Sequence, residues 1–404
     1  MTEMAKHTNE QRIGGNVLAI YNETLVPQAL RGLEKMFLTE ESAFCEVARS
    51  DSRQKLILSG ISLRYTAMSL IGLTMQDNLG HTTDLPLGKI ADRLVAWCEG
   101  DISSGDGGLV LWALALRDHA RADQVARCLV RRMNEGLKSR FPYDSMALGW
   151  LLSGLAMAMQ KRIGGDELND LAARIYRQLM KNRCPKTGLF SLATPVFRKN
   201  CFAGRVNGKL GSFASQVYPI IGLSYYSICQ KHSGALRIAE QCSDMLCRLQ
   251  GPEGQWWWLY HAKTARCVIK YPVYSVHQNA MGPMALLAVL QAGGNIENGI
   301  SAVEKSLTWL DRHPELPGKQ LISKENPVIW RAIQRDDPSR TAGFGLGFRE
   351  RVRMNLAAWV GRVDNRSLTD GYVCYECRPY HLGWILFAAA LGAVTEDKSL
   401  RETN

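Results

Sequence analysis

No stretch of the 404-residue sequence reaches the roughly 18 uninterrupted apolar residues that a membrane-crossing helix needs. The first fifteen residues are polar and lack the apolar core of a secretory signal. A chain without either feature is expected in the cytoplasm, with no membrane span. A disulfide framework is missing as well, because the eleven cysteines are odd in number and scattered. That usage fits reduced thiols packed as small core residues. There is no Lys/Arg run of five or more, no finger-cysteine spacing and no recognisable helix-turn-helix, so nucleic acid is not an expected partner. The formal net charge of +11 nevertheless favours an anionic ligand through long-range steering. With 46% hydrophobic and 22% charged residues, the composition gives no case for disorder and provides enough apolar material for a core.

Apolar positions recur with helical rather than alternating period, and Gly, Pro and Asp punctuate the segments. Twelve helices are expected, approximately over Val17–Leu38, Leu56–Asn78, Leu87–Glu99, Gly107–His119, Ala122–Glu135, Asp144–Gln160, Asp166–Lys181, Gly211–Lys231, Ala235–Leu249, Ser275–Ala292, Gly299–Asp311 and Pro379–Val394. Some, such as Leu109–Leu116 and Ala147–Ala158, are apolar nearly all round and must be buried. Others, such as Ala122–Glu135 and Asp166–Lys181, are amphipathic and can face water. Paired inner and outer helices repeating in this way predict an all-α fold, an α/α toroid of about six helical hairpins, with an open solenoid of hairpins as the alternative. One domain is expected over residues 17–395, with flexible ends at 1–16 and 396–404. The long connections Cys184–Leu210 and Pro314–Arg378 are expected to lie at the end of the toroid where its cavity opens.

The densest aromatic and polar stretch is Gln255–Met281. Trp256, Trp257, Trp258 and Tyr260, followed by the turn at Lys263–Arg266 and by Val268 and Ile269, predict a short β excursion. Tyr271, Tyr274 and His277 then lead into a helix, where a spacing of three would set Tyr274 and His277 on one face. Aromatic rings offer flat faces to sugars or isoprenoid chains, and a Tyr/His pair offers proton transfer. The same tryptophans also suit a staple between hairpins, and His277 a structural histidine.

Gln250, Gly254 and Trp256 resemble the Q-x3-G-x-W repeat of squalene-type terpenoid cyclases, which links an outer helix to the next inner one. The resemblance implies a toroid. The acidic D-x-D-D motif of those cyclases is absent, Asp101 and Asp106 do not supply it, and Asp336–Asp337 runs into Pro338 rather than forming D-D-x-x-D. The order of Trp256–Tyr260, Tyr271–His277 and the apolar run Met284–Leu290 is similar to toroidal carbohydrate enzymes, namely unsaturated glucuronyl hydrolases and glucuronyl epimerases. That likeness implies a saccharide substrate.

Near the C-terminus, Cys374, Cys377 and His381 have a spacing compatible with three zinc ligands, as in toroidal prenyltransferases, but no fourth ligand is evident. Neither a metal nor another cofactor is therefore assigned. Glu376, beside Arg378 and Tyr380, is either an acid–base carboxylate or an ion-pair partner. Arg64 precedes one apolar helix and Tyr218 sits at the start of another. Helix N-termini converging on one end would favour an anion, with Arg64, Arg198, Arg205, Arg349 and Arg378 available as contacts.

The expectation is a carbohydrate-active enzyme, hydrolase, lyase or epimerase, acting on an anionic or uronic-acid-containing saccharide. Tyr274, His277 and Glu376 would transfer protons. Tyr218, Trp257, Trp258, Tyr260 and Tyr271 would line the sugar site, and Arg64 and Arg378 would contact its acid group. The alternatives are a terpenoid cyclase or prenyltransferase relative and a non-enzymatic helical-repeat binding protein. The sequence does not indicate an oligomeric state.

Overall fold

A computed structural model describes residues 15–50, 55–135, 144–193, 209–335 and 370–403. Its first helix is continuous through three parts, α1 (Gly15–Ala19), a π turn (Ile20–Leu25) and α2 (Val26–Met36). Strands β1 (Phe37–Leu38), β2 (Ala43–Ser50) and β3 (Leu56–Ile61) follow. After them come α3 (Leu63–Asp77), α4 (Leu87–Glu99), α5 (Ser104–Leu116), α6 (Ala122–Glu135), α7 (Ser145–Gln160) and α8 (Gly165–Met180). Strand β4 (Leu210–Ser212) leads into α9 (Ala214–Gln230) and α10 (Ser233–Leu249). Strands β5 (Leu259–His261), β6 (Arg266–Ile269) and β7 (Val273–Tyr274) then precede a second π turn, His277–Met281, which runs into α11 (Gly282–Gln291). The chain ends with α12 (Gly299–Arg312), β8 (Ala332–Gln334), β9 (Tyr372–Cys374), β10 (Glu376–Cys377) and α13 (Pro379–Thr403).

Burial divides the helices as their composition predicts. Every residue of α5 from Gly105 to Leu116 is buried, as is α7 from Leu148 to Ala158, so these helices have no solvent face. In α8 and α10 only one stripe is buried and the rest is wet. The inner helices are α3, α5, α7, α9, α11 and α13. Each packs on the next, and α13 packs back on α3, which closes the ring. The first helix and α4, α6, α8, α10 and α12 lie outside them. The architecture is thus an α/α toroid of six hairpins, not an open solenoid. Among the described residues, no helix is long and apolar enough to cross a membrane.

The inner ring is tight because glycines let backbones touch. A Cβ on Gly72 of α3 would overlap the carbonyl of Gly383 in α13, and one on Gly154 of α7 would overlap the carbonyl of Gly108 in α5. Buried glutamines tie loops to this ring. The amide of Gln278 accepts from the Trp256 N–H at 2.7 Å and donates to the Trp256 and Tyr274 carbonyls at 3.1 and 3.0 Å. Gln216 of α9 treats Phe190 in the same way, with contacts of 2.7 and 2.8 Å. Gln250 reaches from the end of α10 to the Ala302 carbonyl of α12 at 2.9 Å, and Gly254, at φ +95°, presses against the Lys305 carbonyl. Gln250, Gly254 and Trp256 thus join an outer helix to its neighbours in the ring.

Several element boundaries differ from the sequence-based expectation, each for a local reason. The segment expected to be helical from Leu56 is strand β3 up to Ile61, paired antiparallel to β2 from Cys45↔Ile61 to Ser50↔Leu56. The helix starts only at Leu63, because the Ser62 hydroxyl accepts the Tyr65 N–H at 3.2 Å and caps it. Phe37 and Leu38 leave the first helix to pair with Phe44 and Ala43. The β excursion begins at Leu259 rather than at the tryptophans, and three small sheets form instead of one. Tyr274 lies in a strand while His277 opens the π turn, so the two do not share a helical face. At the other end α13 continues to Thr403.

This glycine packing gives a stability test. Gly154→Ala should destabilise the chain by about 1–3 kcal/mol, because neither facing backbone can yield. Gly88→Ala on the exposed face of α4, where nothing lies within 4 Å of the new Cβ, should be neutral or stabilising by up to about 1 kcal/mol. Urea unfolding of the two variants checks the contrast, and equal effects would remove close packing as the cause.

Candidate active site

The N-termini of the inner helices gather at one end of the ring, and short polar caps fix the side chains there. In α5 the Ser103 hydroxyl accepts the Asp106 N–H at 3.1 Å and donates to the Asp106 carboxylate at 2.7 Å. In α7 Asp144 is the cap, accepting the Ala147 N–H at 2.8 Å. Arg64, in the first turn of α3, makes a two-pronged pair with Asp106, Nε to Oδ1 at 2.5 Å and Nη2 to Oδ2 at 2.9 Å. Its guanidinium carbon lies 5.3 Å from the ring centre of Trp150. Arg64, Asp144 and Trp150 line a cavity of about 580 Å³, which extends outward past Asp101 and Arg132 between α4 and α6.

Burial pushes the Asp144 carboxyl above the usual carboxylate range, against the opposing pull of the Ala147 N–H and the Arg64 charge. Asp144 is therefore a carboxylic acid able to hold a proton at higher pH than a surface aspartate, on the wall of an open, mainly apolar cavity.

The residues around Tyr274 and Glu376 form a second cluster, tied to the start of α3 through Tyr65 and outside the lining of that cavity. Glu376 accepts Arg49 Nε at 3.0 Å and Arg331 Nη1 at 2.9 Å, and lies 3.7 Å from Arg378. Burial works against its charge. The hydrogen bond from Arg49 and the charges of Arg331 and Arg378 outweigh that and hold the carboxyl below its ordinary value. Arg378 Nη1 donates to the Tyr65 hydroxyl at 2.7 Å, and the Tyr65 and Tyr380 rings are 4.8 Å apart. Arg331 lies over the Tyr274 ring at 5.5 Å, and Tyr274 is 5.0 Å from His277. Burial raises the Tyr274 phenol well above its usual value, with Arg331 opposing. Residues 271–277 and 376–378 are thus joined through Arg331, whose backbone N–H also reaches the Glu376 carbonyl at 2.8 Å.

Other sequence-predicted site residues are packed rather than open. Tyr260 is fully buried and its hydroxyl accepts the Trp257 N–H at 3.1 Å. Trp257 is buried under Lys270, 5.0 Å from its ring centre. The Tyr218 hydroxyl accepts Trp384 Nε1–H at 3.0 Å, and its ring meets Trp150 edge-on at 5.2 Å. Trp258 and Tyr271 are half-buried, with Trp258 6.3 Å from Tyr274 and Tyr271 under Arg335 at 5.2 Å. His381 pairs with Asn279 at 2.8 Å, and Cys377 is buried in β10 opposite Ala48. Among the described residues no group of three or more His, Cys, Asp or Glu side chains could hold a metal ion. Arg198, Arg205, Arg349, Asp336 and Asp337 lie outside the described residues.

Sequence reasoning passed over Asp144, Trp150 and Arg331. A usable signal existed for the first, since Asp106 and Asp144 each stand immediately ahead of an unbroken apolar run and so at the N-terminus of an inner helix.

No family model matches the sequence, and no curated protein matches it. Solved structures do match along nearly its whole length. An unsaturated glucuronyl hydrolase specific for heparin is 14% identical, with a TM-score of 0.60 over 94% of this chain and 98% of its own. A mutant unsaturated glucuronyl hydrolase from Streptococcus agalactiae, complexed with dGlcA-GalNAc6S, is 9% identical, with a TM-score of 0.56 over 91% and 90%. A sugar epimerase from a ruminal bacterium is 10% identical, with a TM-score of 0.56 over 92% and 98%. The fold of this chain is therefore the six-hairpin α/α toroid found in these proteins.

Two buried histidines next to this site make stability depend on pH. Burial drives His277 to about 3, and burial together with the neighbouring His277 drives His381 to about 3. Both are neutral in the folded chain, whereas in the unfolded chain they titrate near about 6.5. Their contribution is constant above that value and is lost as pH falls from about 6.5 toward 3, because only the unfolded chain takes up the protons. Stability should fall by roughly 1 kcal/mol per pH unit for each histidine across this window. His277→Phe should flatten the slope by about one proton's worth in urea titrations between pH 6 and 4, and an unchanged slope would rule out the buried neutral state.

Proposed function

We propose that this chain is a carbohydrate-active enzyme that hydrolyses an anionic, uronic-acid-containing saccharide, with Asp144 as its proton donor. The observation that carries the reading is a partly buried carboxyl, its proton affinity raised by its surroundings, on the wall of an open cavity that Arg64 and Arg132 also line. General acid catalysis needs a group of this kind within reach of the leaving oxygen. Trp150, buried under the Arg64 guanidinium, lines the cavity beside it, and Arg64, already 43% exposed in its side chain while paired to Asp106, can turn an edge to a substrate carboxylate. Two structural neighbours are unsaturated glucuronyl hydrolases, which supports the same ligand chemistry. Arg64, Asp101, Arg132 and Asp144 give a saccharide polar partners, and Val125, Leu129 and Met146 give its ring faces apolar surface to pack on.

Elimination or epimerisation at Tyr274, His277 and Glu376 is the second reading, favoured by the Arg331 guanidinium over the Tyr274 ring, which offsets part of the burial that holds that phenol protonated. In that reading Arg378 contacts the substrate acid group and Trp258 and Tyr271 line the sugar. The two readings separate in one pair of variants. Asp144→Asn should lower release of reducing ends from uronate oligosaccharides by roughly 10²–10⁴-fold while the circular dichroism spectrum is retained. His277→Ala should leave that hydrolysis within a few-fold. Loss of solvent-deuterium exchange into the uronate in His277→Ala, with Asp144→Asn fully active, would reject the hydrolytic assignment in favour of the second.

A further inference from the structure

A second cavity, of about 780 Å³, lies beyond the end of α12, on the far side of a thin wall from the Arg331–Glu376 pair. Residues alternate in direction along extended chain, so Trp330 and Tyr375 turn away from the faces that Arg331 and Glu376 use. Both line this cavity, where their rings meet edge-on at 5.3 Å. Trp330 is buried beneath, while Tyr375 is 51% exposed, an aromatic shelf with a solid backing. Arg312, Lys319 and Lys324 bring three cations to the lining against two carboxylates, Asp311 and Glu325, and Glu325 is engaged by the Ser323 hydroxyl at 3.2 Å. His313, 5% exposed and edge-on to Trp309 at 5.5 Å, also lines the cavity, and neither of its ring nitrogens has a hydrogen-bond partner. Buried polar atoms left unpaired are uncommon and call for an occupant or a strain.

We propose that this cavity is a second saccharide-binding site, separate from the one at Asp144, which holds another unit of an acidic polysaccharide. One sugar ring stacks on Tyr375, and its carboxylate or sulfate is met by Lys319 and Lys324. Aromatic faces flanked by flexible cations bind such rings by stacking and charge. The inference rests on the saccharide reading above.

Calorimetric titration of the full chain with a heparin hexasaccharide tests it. The expected result is two sites per chain for the unmodified protein and one for Lys319→Glu/Lys324→Glu, with turnover of an unsaturated disaccharide unchanged in that variant. Tyr375→Ala, at an exposed position that the fold does not need, should weaken the second site about tenfold or more. One site in the unmodified chain, or two in the double variant, overturns the second site and leaves the proposed function standing. No binding of hexasaccharide or disaccharide to the unmodified chain overturns both.

Discussion

Close contact between inner-helix backbones is the constraint on which the rest of this structure depends. Where Gly72 meets Gly383 and Gly108 meets Gly154, no side chain separates neighbouring helices. The inner ring is therefore narrow, and it closes through α13 on α3. A narrow closed ring has two consequences. Its helices must be apolar on all sides, which accounts for the unbroken apolar runs, and their N-termini are brought within side-chain reach of one another. Arg64 of α3 can meet Asp106 of α5 only because these two helices are neighbours at that spacing.

Convergence of N-termini is also an electrostatic condition. Each inner helix presents unsatisfied N–H groups and the positive end of its dipole to the same region, which favours acidic or hydroxyl caps. Ser62, Ser103 and Asp144 fill that role in α3, α5 and α7. The arginines then follow the carboxylates, Arg64 on Asp106 and Arg49, Arg331 and Arg378 on Glu376. The end of the ring is thus built of paired charges, and the groups that differ chemically are those left incompletely paired.

The periodic apolar pattern was sufficient for the toroid, because fully apolar and amphipathic helices are told apart by composition alone. All twelve helices are where periodicity sets them, with shifts where a cap or a strand pairing intervenes, as at Ser62 and Phe37. Strand β2 was not legible, since Phe44–Ser50 owes its conformation to partners at residues 37, 56–61 and 376–377, distant in sequence or too short to show alternation. The candidate site was legible in part. Tyr274, His277, Glu376 and Arg378 do share one end, but the packing of Tyr260 and Trp257 away from solvent depends on the hydroxyl and lysine that cover them. Asp144 was hidden for a different reason: a helix cap and a proton donor are the same residue type at the same position, and only burial separates them.

That difference in burial and pairing bears on where acid chemistry can occur. Glu376 and Asp144 are both carboxyls at the mouth of one ring, yet their environments push them in opposite directions. Glu376 has three guanidinium groups within 4 Å, and its charged form is the one its surroundings favour. A carboxylate so placed holds Arg331 and Arg378 in position, and protonating it would leave partly buried positive charge uncompensated. Asp144 has a backbone N–H on its cap oxygen, a more distant Arg64 already committed to Asp106, and enough burial to raise its hold on a proton above that of a surface aspartate. When two carboxyls at one end of a ring are driven apart in this way, the one whose proton is held more tightly is the better suited to give it, and the one held charged to organise cations.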